Sequence, residues 1–278
     1  MQGYAGNQQY HNSNTNLQQW QAPSQPAYPL HNTHPGQAIQ PPPTSASDTR
    51  NLSGEAEGVR YTILYRDVNS IVQCQLQPNA RINILAGSMA SMSANLKLEG
   101  KVKLKNMFTA GKTLSSCVTA PNGPGELILA PPMMADVMPL HVSGGVEWIV
   151  GENCFLGSTP GVQKSTKMQG LGKAIFSGEG LLVTKMSGNG VAFIVSLGAI
   201  HSIELQPGQE YVIDNEHLVA WSASMSYKTE LVGSFMTSMV SSEGKVCRFT
   251  GPGTVYMQTR NPTSLAAYMR SIGVVSSN

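Results

Sequence analysis

The chain has 278 residues, enough for one large domain or two small ones. Only 12% of them are Asp, Glu, Lys or Arg, and 28 are glycine, a balance that favours turns and strands over helix. A net charge of +2 excludes a global field drawing the protein onto nucleic acid or an anionic membrane.

Residues 1 to about 56 are dominated by Gln, Asn, Pro, Ser and His, with Pro41-Pro42-Pro43 near the end. This stretch lacks a periodic apolar face and cannot offset its ordering entropy, so it reads as a disordered, solvated tail. Tyr4, Tyr10, Trp20 and Tyr28, spaced through it, allow self-association as the other reading. It contains no Lys and Arg50 is its only Arg, unlike an Arg-rich mitochondrial presequence, and no signal-peptide core follows Met1. A reduced intracellular compartment is therefore expected, with Cys74, Cys117, Cys154 and Cys247 as buried or half-buried thiols, since none falls at metal-ligand spacing. Apolar runs fall short of the ~20 residues of a membrane-spanning helix.

From about Val59 the texture turns to β. Tyr61–Tyr65, Ser70–Leu76 and Arg81–Leu85 read as short strands, with Gln77-Pro78-Asn79 as a turn. Leu96, Leu98, Val102 and Leu104 then alternate with Lys97, Glu99, Lys101, Lys103 and Lys105, which places the charges on one strand face. Three glycine turns follow in series: Gly123-Pro124-Gly125, Gly188-Asn189-Gly190 and Gly251-Pro252-Gly253, separated by 65 and 63 residues. Each leads into a β-type run, and a tight turn between twisted strands needs a positive φ that glycine adopts without steric cost. A second feature keeps nearly the same step. Ile82, Trp148 and Tyr211 align, as do Ile84, Val150 and Ile213, and Met89, Phe155 and Leu218, at offsets of 66 and 63. Two features sharing one period predict an internal repeat. After Arg260, Asn261-Pro262-Thr263 reads as a helix start. Leu265, Tyr268, Met269 and Ile272 follow at helical spacing and Gly273 ends the segment. A helix this short is marginal alone, so it is expected to dock on the sheets.

These motifs resemble the altered-inheritance-of-mitochondria 24 family, whose domain is similar to the tryptophan RNA-binding attenuation protein. The residues that carry the resemblance are Gly178-Glu179-Gly180, Gly188-Asn189-Gly190, Leu205-Gln206-Pro207-Gly208, Val212-Ile213-Asp214, His217–Trp221 and Gly251–Arg260. Ser242 stands where the last Gly-Glu-Gly-like motif has its first glycine. The resemblance implies an all-β fold of three β-sandwich units around a pseudo-three-fold axis. It also implies a part in mitochondrial inner-membrane organisation, with proteins of that membrane, or the chain itself, as partners. Localisation follows as mitochondrial, the cytoplasm being the alternative because no presequence is seen. The resulting organisation is a tail at 1–56, a triplicated domain at 57–262 (units near 70–139, 140–202 and 203–260), and a C-terminal helix and tail at 263–278.

Candidate chemistry is thin. Gly157-Ser158-Thr159-Pro160-Gly161 has its serine one position early for a nucleophile elbow and a Pro where the elbow helix would start. Strand residues follow every Gly-x-Gly turn, which argues against a phosphate cradle. Asp214, Glu216 and His217 cluster between two strands, yet neighbours on an extended segment point apart, so they read as a polar turn rather than a metal site. His141 and His201 fall at non-equivalent repeat positions. Lys101, Lys103 and Lys105 form a basic strip able to follow phosphates, but Glu99 interrupts it and no aromatic residues interleave for base stacking. Glu179 and Glu243, beside glycines, are expected to accept hydrogen bonds from turn N–H groups, with Arg260 pairing one of them. Trp148, Tyr211 and Trp221 read as core or rim packing. The expectation is a non-enzymatic structural or interaction protein without catalytic residues, metal or cofactor. The alternatives are a nucleic-acid-binding module using the lysine strip, and a small-ligand scaffold with a pocket near the pseudo-axis.

Overall fold

The structure is a computed structural model that describes residues 52–100, 115–151, 153–169, 181–231 and 245–274. It is almost entirely antiparallel β, as the glycine-rich, charge-poor composition leads one to expect, with one short helix. The strands are β1 (Leu52–Ala56), β2 (Val59–Leu64), β3 (Ile71–Leu76), β4 (Arg81–Leu85), β5 (Met89–Met92), β6 (Lys97–Gly100), β7 (Ser115–Thr119) and β8 (Gly125–Leu129). Then come β9 (Ala135–Val142), β10 (Trp148–Gly151), β11 (Phe155–Ser158), β12 (Val162–Gln169), β13 (Leu181–Gly188) and β14 (Gly190–Leu197). Last are β15 (Ile200–Leu205), β16 (Glu210–Asp214), β17 (Leu218–Ser222), β18 (Ser226–Leu231), β19 (Lys245–Thr250) and β20 (Gly253–Gln258), followed by helix α1 (Pro262–Ser271).

Four sheets form: β1-β2-β3-β8-β5, β6-β7-β4-β11-β14-β9, β12-β13-β10-β17-β20-β15 and β16-β19-β18. Between Ile71 and Leu129, β8 pairs with β3 and β5, and β7 with β4 and β6. Between Ala135 and Leu197, β14 pairs with β9 and β11, and β13 with β10 and β12. Between Ile200 and Gln258, β20 pairs with β15 and β17, and β19 with β16 and β18. Two further pairings, β4 with β11 and β10 with β17, join strands from successive stretches of the chain.

Three apolar cores lie between these sheets. The first takes Tyr61, Ile63, Val72, Leu127 and Leu129 from the five-stranded sheet and Ile82, Ile84, Val118 and Phe193 from its six-stranded neighbour. Tyr61 meets Phe193 edge-on, with centroids 5.0 Å apart. The second core joins the two six-stranded sheets through Leu140, Ala192 and Ile194 on one side and Val150, Met186 and Val219 on the other. The third sets Trp221, Leu218 and Val255 against Ile213, Cys247 and Phe249 of the three-stranded sheet. β14 sends Val191, Phe193 and Val195 into the first core and Ala192 and Ile194 into the second. Burial on both faces is why its sequence is a continuous apolar run instead of an alternating one.

Three expectations are corrected. Strand β1 begins at Leu52, inside the stretch read as tail, because it pairs along its whole length with β2. Leu98 does not turn inward: β6 is an edge strand exposed on both faces, and Leu98 is 43% exposed. Helix α1 forms where expected, with the Asn261 side chain accepting from Ser264 N at 2.9 Å, but it packs more loosely than expected: none of its residues is fully buried, and Leu265 and Met269 are only half-buried. A Thr263 hydroxyl donating to Glu216 Oε2 at 3.1 Å ties its first turn to the body.

The turn glycines behave as their backbone requires. Gly123, Gly188, Gly190 and Gly253 have φ of +112°, +98°, +154° and +150°. At Gly190 a Cβ would also meet Glu57 Oε2 at 3.0 Å and Val162 Cγ2 at 3.2 Å, whereas at Gly208 (φ +76°) it would meet open space. Gly190→Ala is therefore expected to cost about 2–4 kcal/mol, against about 1 kcal/mol for Gly208→Ala. Urea unfolding of the two variants checks the difference, and equal losses would contradict it.

Candidate functional site

The polar centre of the molecule is the carboxylate of Asp136, the second residue of β9. Arg66 follows Tyr65, which takes a φ of +61° and so swings the chain back from the end of β2. The guanidinium grips Asp136 at both oxygens, Nε to Oδ1 at 3.0 Å and Nη2 to Oδ2 at 2.8 Å. Both side chains are nearly sealed, at 4% and 6% exposure. Ser70 Oγ donates to Oδ1 at 3.0 Å, Val137 N to Oδ1 at 2.8 Å and Ile200 N to Oδ2 at 3.3 Å. One carboxylate thus receives five donors from the starts of β3, β9 and β15 and from the turn after β2.

Backbone bonds reinforce the junction. Ser70 N donates to Ala135 O at 2.9 Å, Asp136 N to Gly198 O and Gly198 N to Met134 O, both at 3.0 Å. Next to it, Gln258 receives Leu197 N on Oε1 and donates Nε2 to Glu216 O, each at 2.8 Å. A carboxylate with its lone pairs occupied cannot take a proton from a substrate without first releasing a donor. Chemically, the arrangement is suited to holding chain segments together.

The residues singled out from sequence do not converge. Asp214 caps the short turn at Asn215–His217, accepting from Glu216 N at 2.9 Å. Glu216 takes the Thr263 hydroxyl, and His217 Nδ1 donates to the Gln258 carbonyl at 2.7 Å. These three serve three separate bonds, and among the described residues no group of three or more His, Cys, Asp or Glu is placed to hold a metal ion. His141 Nε2 lies 3.4 Å from the Tyr61 hydroxyl, while His201 sits opposite Met257 on β15. Ser158 lies in strand β11, not on an elbow; its Oγ is buried without a hydrogen-bond partner. Thr159 Oγ1 accepts from Val191 N at 3.1 Å.

Trp221 is a core residue, edge-on to Phe249 and Tyr227. Trp148 is a rim residue whose Nε1 donates to His141 O at 3.1 Å. Tyr211, expected to pack, is instead 37% exposed. All four cysteines are buried and none forms a disulfide, and burial pushes the Cys74 and Cys154 thiols up to about 12. Lys101, Lys103, Lys105, Glu179 and Glu243 lie outside the described residues, and with the two glutamates the expected partners of Arg260.

Sequence reading missed both long-range clamps. One is Arg66–Asp136; its only visible signal is a lone acid inside the apolar run from Leu127 to Leu140. The other is Glu57, held at φ +51° in the β1–β2 turn, whose two carboxylate oxygens accept from Gly161 N at 3.0 and 2.9 Å. For the first clamp, Asp136→Asn leaves the buried guanidinium unbalanced and is expected to cost about 3–5 kcal/mol. An Arg66→Met/Asp136→Leu double variant recovers only part of this, because Val137 N and Ile200 N still lose their acceptor. Urea denaturation of the three proteins checks the order; a double variant as stable as the parent would contradict it.

Comparison with known proteins adds a family and relatives. The sequence model of a family described as mitochondrial biogenesis AIM24 matches residues 61–260. An uncharacterized protein of Streptococcus pyogenes serotype M6 is 29% identical over 233 residues, covering 79% of this chain and 93% of that protein. A crystal structure of a Streptococcus pyogenes protein is 28% identical, with a TM-score of 0.66, covering 77% of this chain and 99% of that one.

Proposed function

We propose, from the premise that the chain belongs to the mitochondrial biogenesis AIM24 family, that it is a non-catalytic scaffold built from three copies of one β-sandwich unit around a pseudo-three-fold axis. The observation that carries the reading is a pairing plan used three times. Counting six strands per unit from β3, β9 and β15, strand six pairs with strands one and three, and strand five with strands two and four. Strand three shifts register against strand six at one equivalent place in each unit, at Met89/Ser91, Phe155/Gly157 and Leu218/Ala220. Each unit has two sheet halves with an apolar core between them.

Scaffolding fits how polar groups are used. The buried charge at Asp136 and the glutamate at 57 tie segments to one another, and burial favours the unreactive protonated form of the Cys74, Cys154 and Cys247 thiols. The family description links the chain to mitochondrial biogenesis, and proteins of the mitochondrial inner membrane are the partners we assign. Among the described residues no helix is long and apolar enough to cross a membrane, so this reading places the chain against membrane proteins by docking. The bacterial relatives fit a role of organising other proteins, which a bacterium and an organelle can share.

Cross-linking and affinity capture of the tagged full chain, from organelle and cytosolic fractions separately, tests this. A stoichiometric membrane-protein partner in the organelle fraction is the expected result. Binding of RNA in a filter assay, with affinity falling steeply as salt rises, would overturn it in favour of a nucleic-acid module. A metabolite that raises the melting temperature would do so in favour of a ligand scaffold.

A further inference from the structure

We infer that the chain assembles head-to-tail with a second copy of itself, β16 of one copy pairing antiparallel with β5 of the next. The inference rests on the reading of the three strand sets as equivalent units. It begins with how the units are joined inside the chain. β11 pairs with β4 through Gly157↔Ile84 and Ser158↔Asn83. β17 pairs with β10 through Ala220↔Val150 and Trp221↔Ile149. At the offsets of 66 and 63 these are the same rungs: strand three of one unit lies against strand two of the unit before it. Each such junction completes a six-stranded sheet in the order four-five-two, then three-six-one of the following unit.

Among the described residues two strands of this kind have no such partner, strand two of the last unit (β16) and strand three of the first (β5). Both are sheet edges, β16 in β16-β19-β18 and β5 in β1-β2-β3-β8-β5. Set edge to edge they give β18-β19-β16-β5-β8-β3, the missing third sheet of the same plan, with β2 and β1 added at its end. The rungs it requires are Ser91↔Ile213 and Met92↔Val212.

Exposure marks these edges as unfinished. Val212 is 43% exposed where its counterpart Ile149 is 7%, and Tyr211 is 37% exposed where Ile82 is fully buried. Ala90 and Ser91 are exposed too. Neither strand carries Lys or Pro, the residues that blunt an open edge, and the Glu210 carboxylate is already met by Arg248 Nη1 at 3.6 Å.

The link at the molecular centre also stops short of closing. Ser70, Asp136 and Ala199 occupy one position at the same offsets. Ser70 N reaches the carbonyl of Ala135 in the second unit and Asp136 N that of Gly198 at the start of the third. Ala199 N does not return to the first unit; it donates to Thr259 Oγ1 within the third, at 3.0 Å. Among the described residues the series ends with one open edge of each kind, and two different edges of one chain make a heterologous contact that repeats from copy to copy.

Sedimentation velocity of the full chain, from low micromolar to several hundred micromolar, is the test, with Val212→Lys and Met92→Lys as single variants. The parent is expected to gain mass with concentration beyond a dimer. Each variant is expected to raise the half-association concentration at least ~10-fold. Mixing the two variants should give a dimer and nothing larger, since each keeps one good edge and only one productive pairing remains. Unchanged circular dichroism and urea midpoints establish that the variants fold.

A parent that stays monomeric throughout would overturn the inference. So would association that neither variant weakens. If both variants lower the melting temperature of a strictly monomeric chain, the third junction forms within one chain and the inference also fails. A monomeric parent that still captures its membrane-protein partner leaves the scaffold reading standing, so the two failures are distinguishable.

Discussion

A carboxylate taken out of water must have its lone pairs occupied, and the arrangement of this molecule depends on how Asp136 meets that requirement. No single segment supplies enough donors. Arg66 comes from the turn after β2, Ser70 from the residue before β3, and Ile200 from the start of β15. The starts of β3, β9 and β15 are therefore fixed to one another before any apolar contact is considered. A buried ion pair is a weak source of net stability, because desolvation offsets much of its Coulomb gain. Its effect here is on geometry: an arrangement that misplaces one of the three starts leaves a charged group or an N–H unsatisfied. The apolar cores supply the bulk of the driving force, roughly 1.5–3 kcal/mol for each large side chain fully buried, but they are tolerant of sliding. Asp136 is not.

The same logic recurs at Glu57. Its carboxylate reaches the N–H of Gly161 across 104 positions of sequence, and a Cβ at either Gly161 or Gly190 would run into that carboxylate at 2.8 or 3.0 Å. A Cβ would run first into the Asn189 carbonyl at Gly161 and into the Thr159 hydroxyl at Gly190, so the two glycines serve the close approach of their own turns as well as that of the first hairpin. Local turn chemistry and long-range docking are thus one constraint seen from two sides, and the hairpin of β1 and β2 belongs to the body because it supplies Glu57.

What the sequence made legible follows the range of the physics. Turns were legible, since a positive φ is demanded by the few residues around it, and Gly188, Gly190 and Gly253 carry that demand openly. Ile84, Val150 and Ile213 were legible as inward-facing strand residues because each sits in a short apolar run, and all three are buried. The Arg66–Asp136 and Glu57–Gly161 contacts were not, because each joins residues far apart in sequence through side chains whose types occur on any surface. Leu98 misled for a related reason. Alternation tells which residues share a face but not whether anything covers that face, and β6 lies at a sheet edge where Leu98 stays exposed. Helix α1 repeats the lesson: spacing and the Asn261 cap determine that a helix forms, while docking depends on a surface that the pattern does not describe.

The equivalent register shifts explain how one strand can serve two neighbours. β11 lies between β14, of its own stretch, and β4, of the stretch before; β17 lies likewise between β20 and β10. A strand so placed must follow the twist of one neighbour and then the direction of another. An extra residue bends the strand and increases its local twist. Leu156 and Val219 are those extra residues, standing between Phe155 and Gly157 and between Leu218 and Ala220. Gly157 then allows the approach that follows, since a Cβ there would meet the Asn83 carbonyl at 3.1 Å. β5 carries the same shift, with Ala90 as the extra residue between Met89 and Ser91, although among the described residues β8 is its one neighbour. A bend that makes room for a second neighbour in β11 and β17 is thus also present in β5, where the described residues supply none, and that is a physical reason to regard the edge as a place where a strand fits.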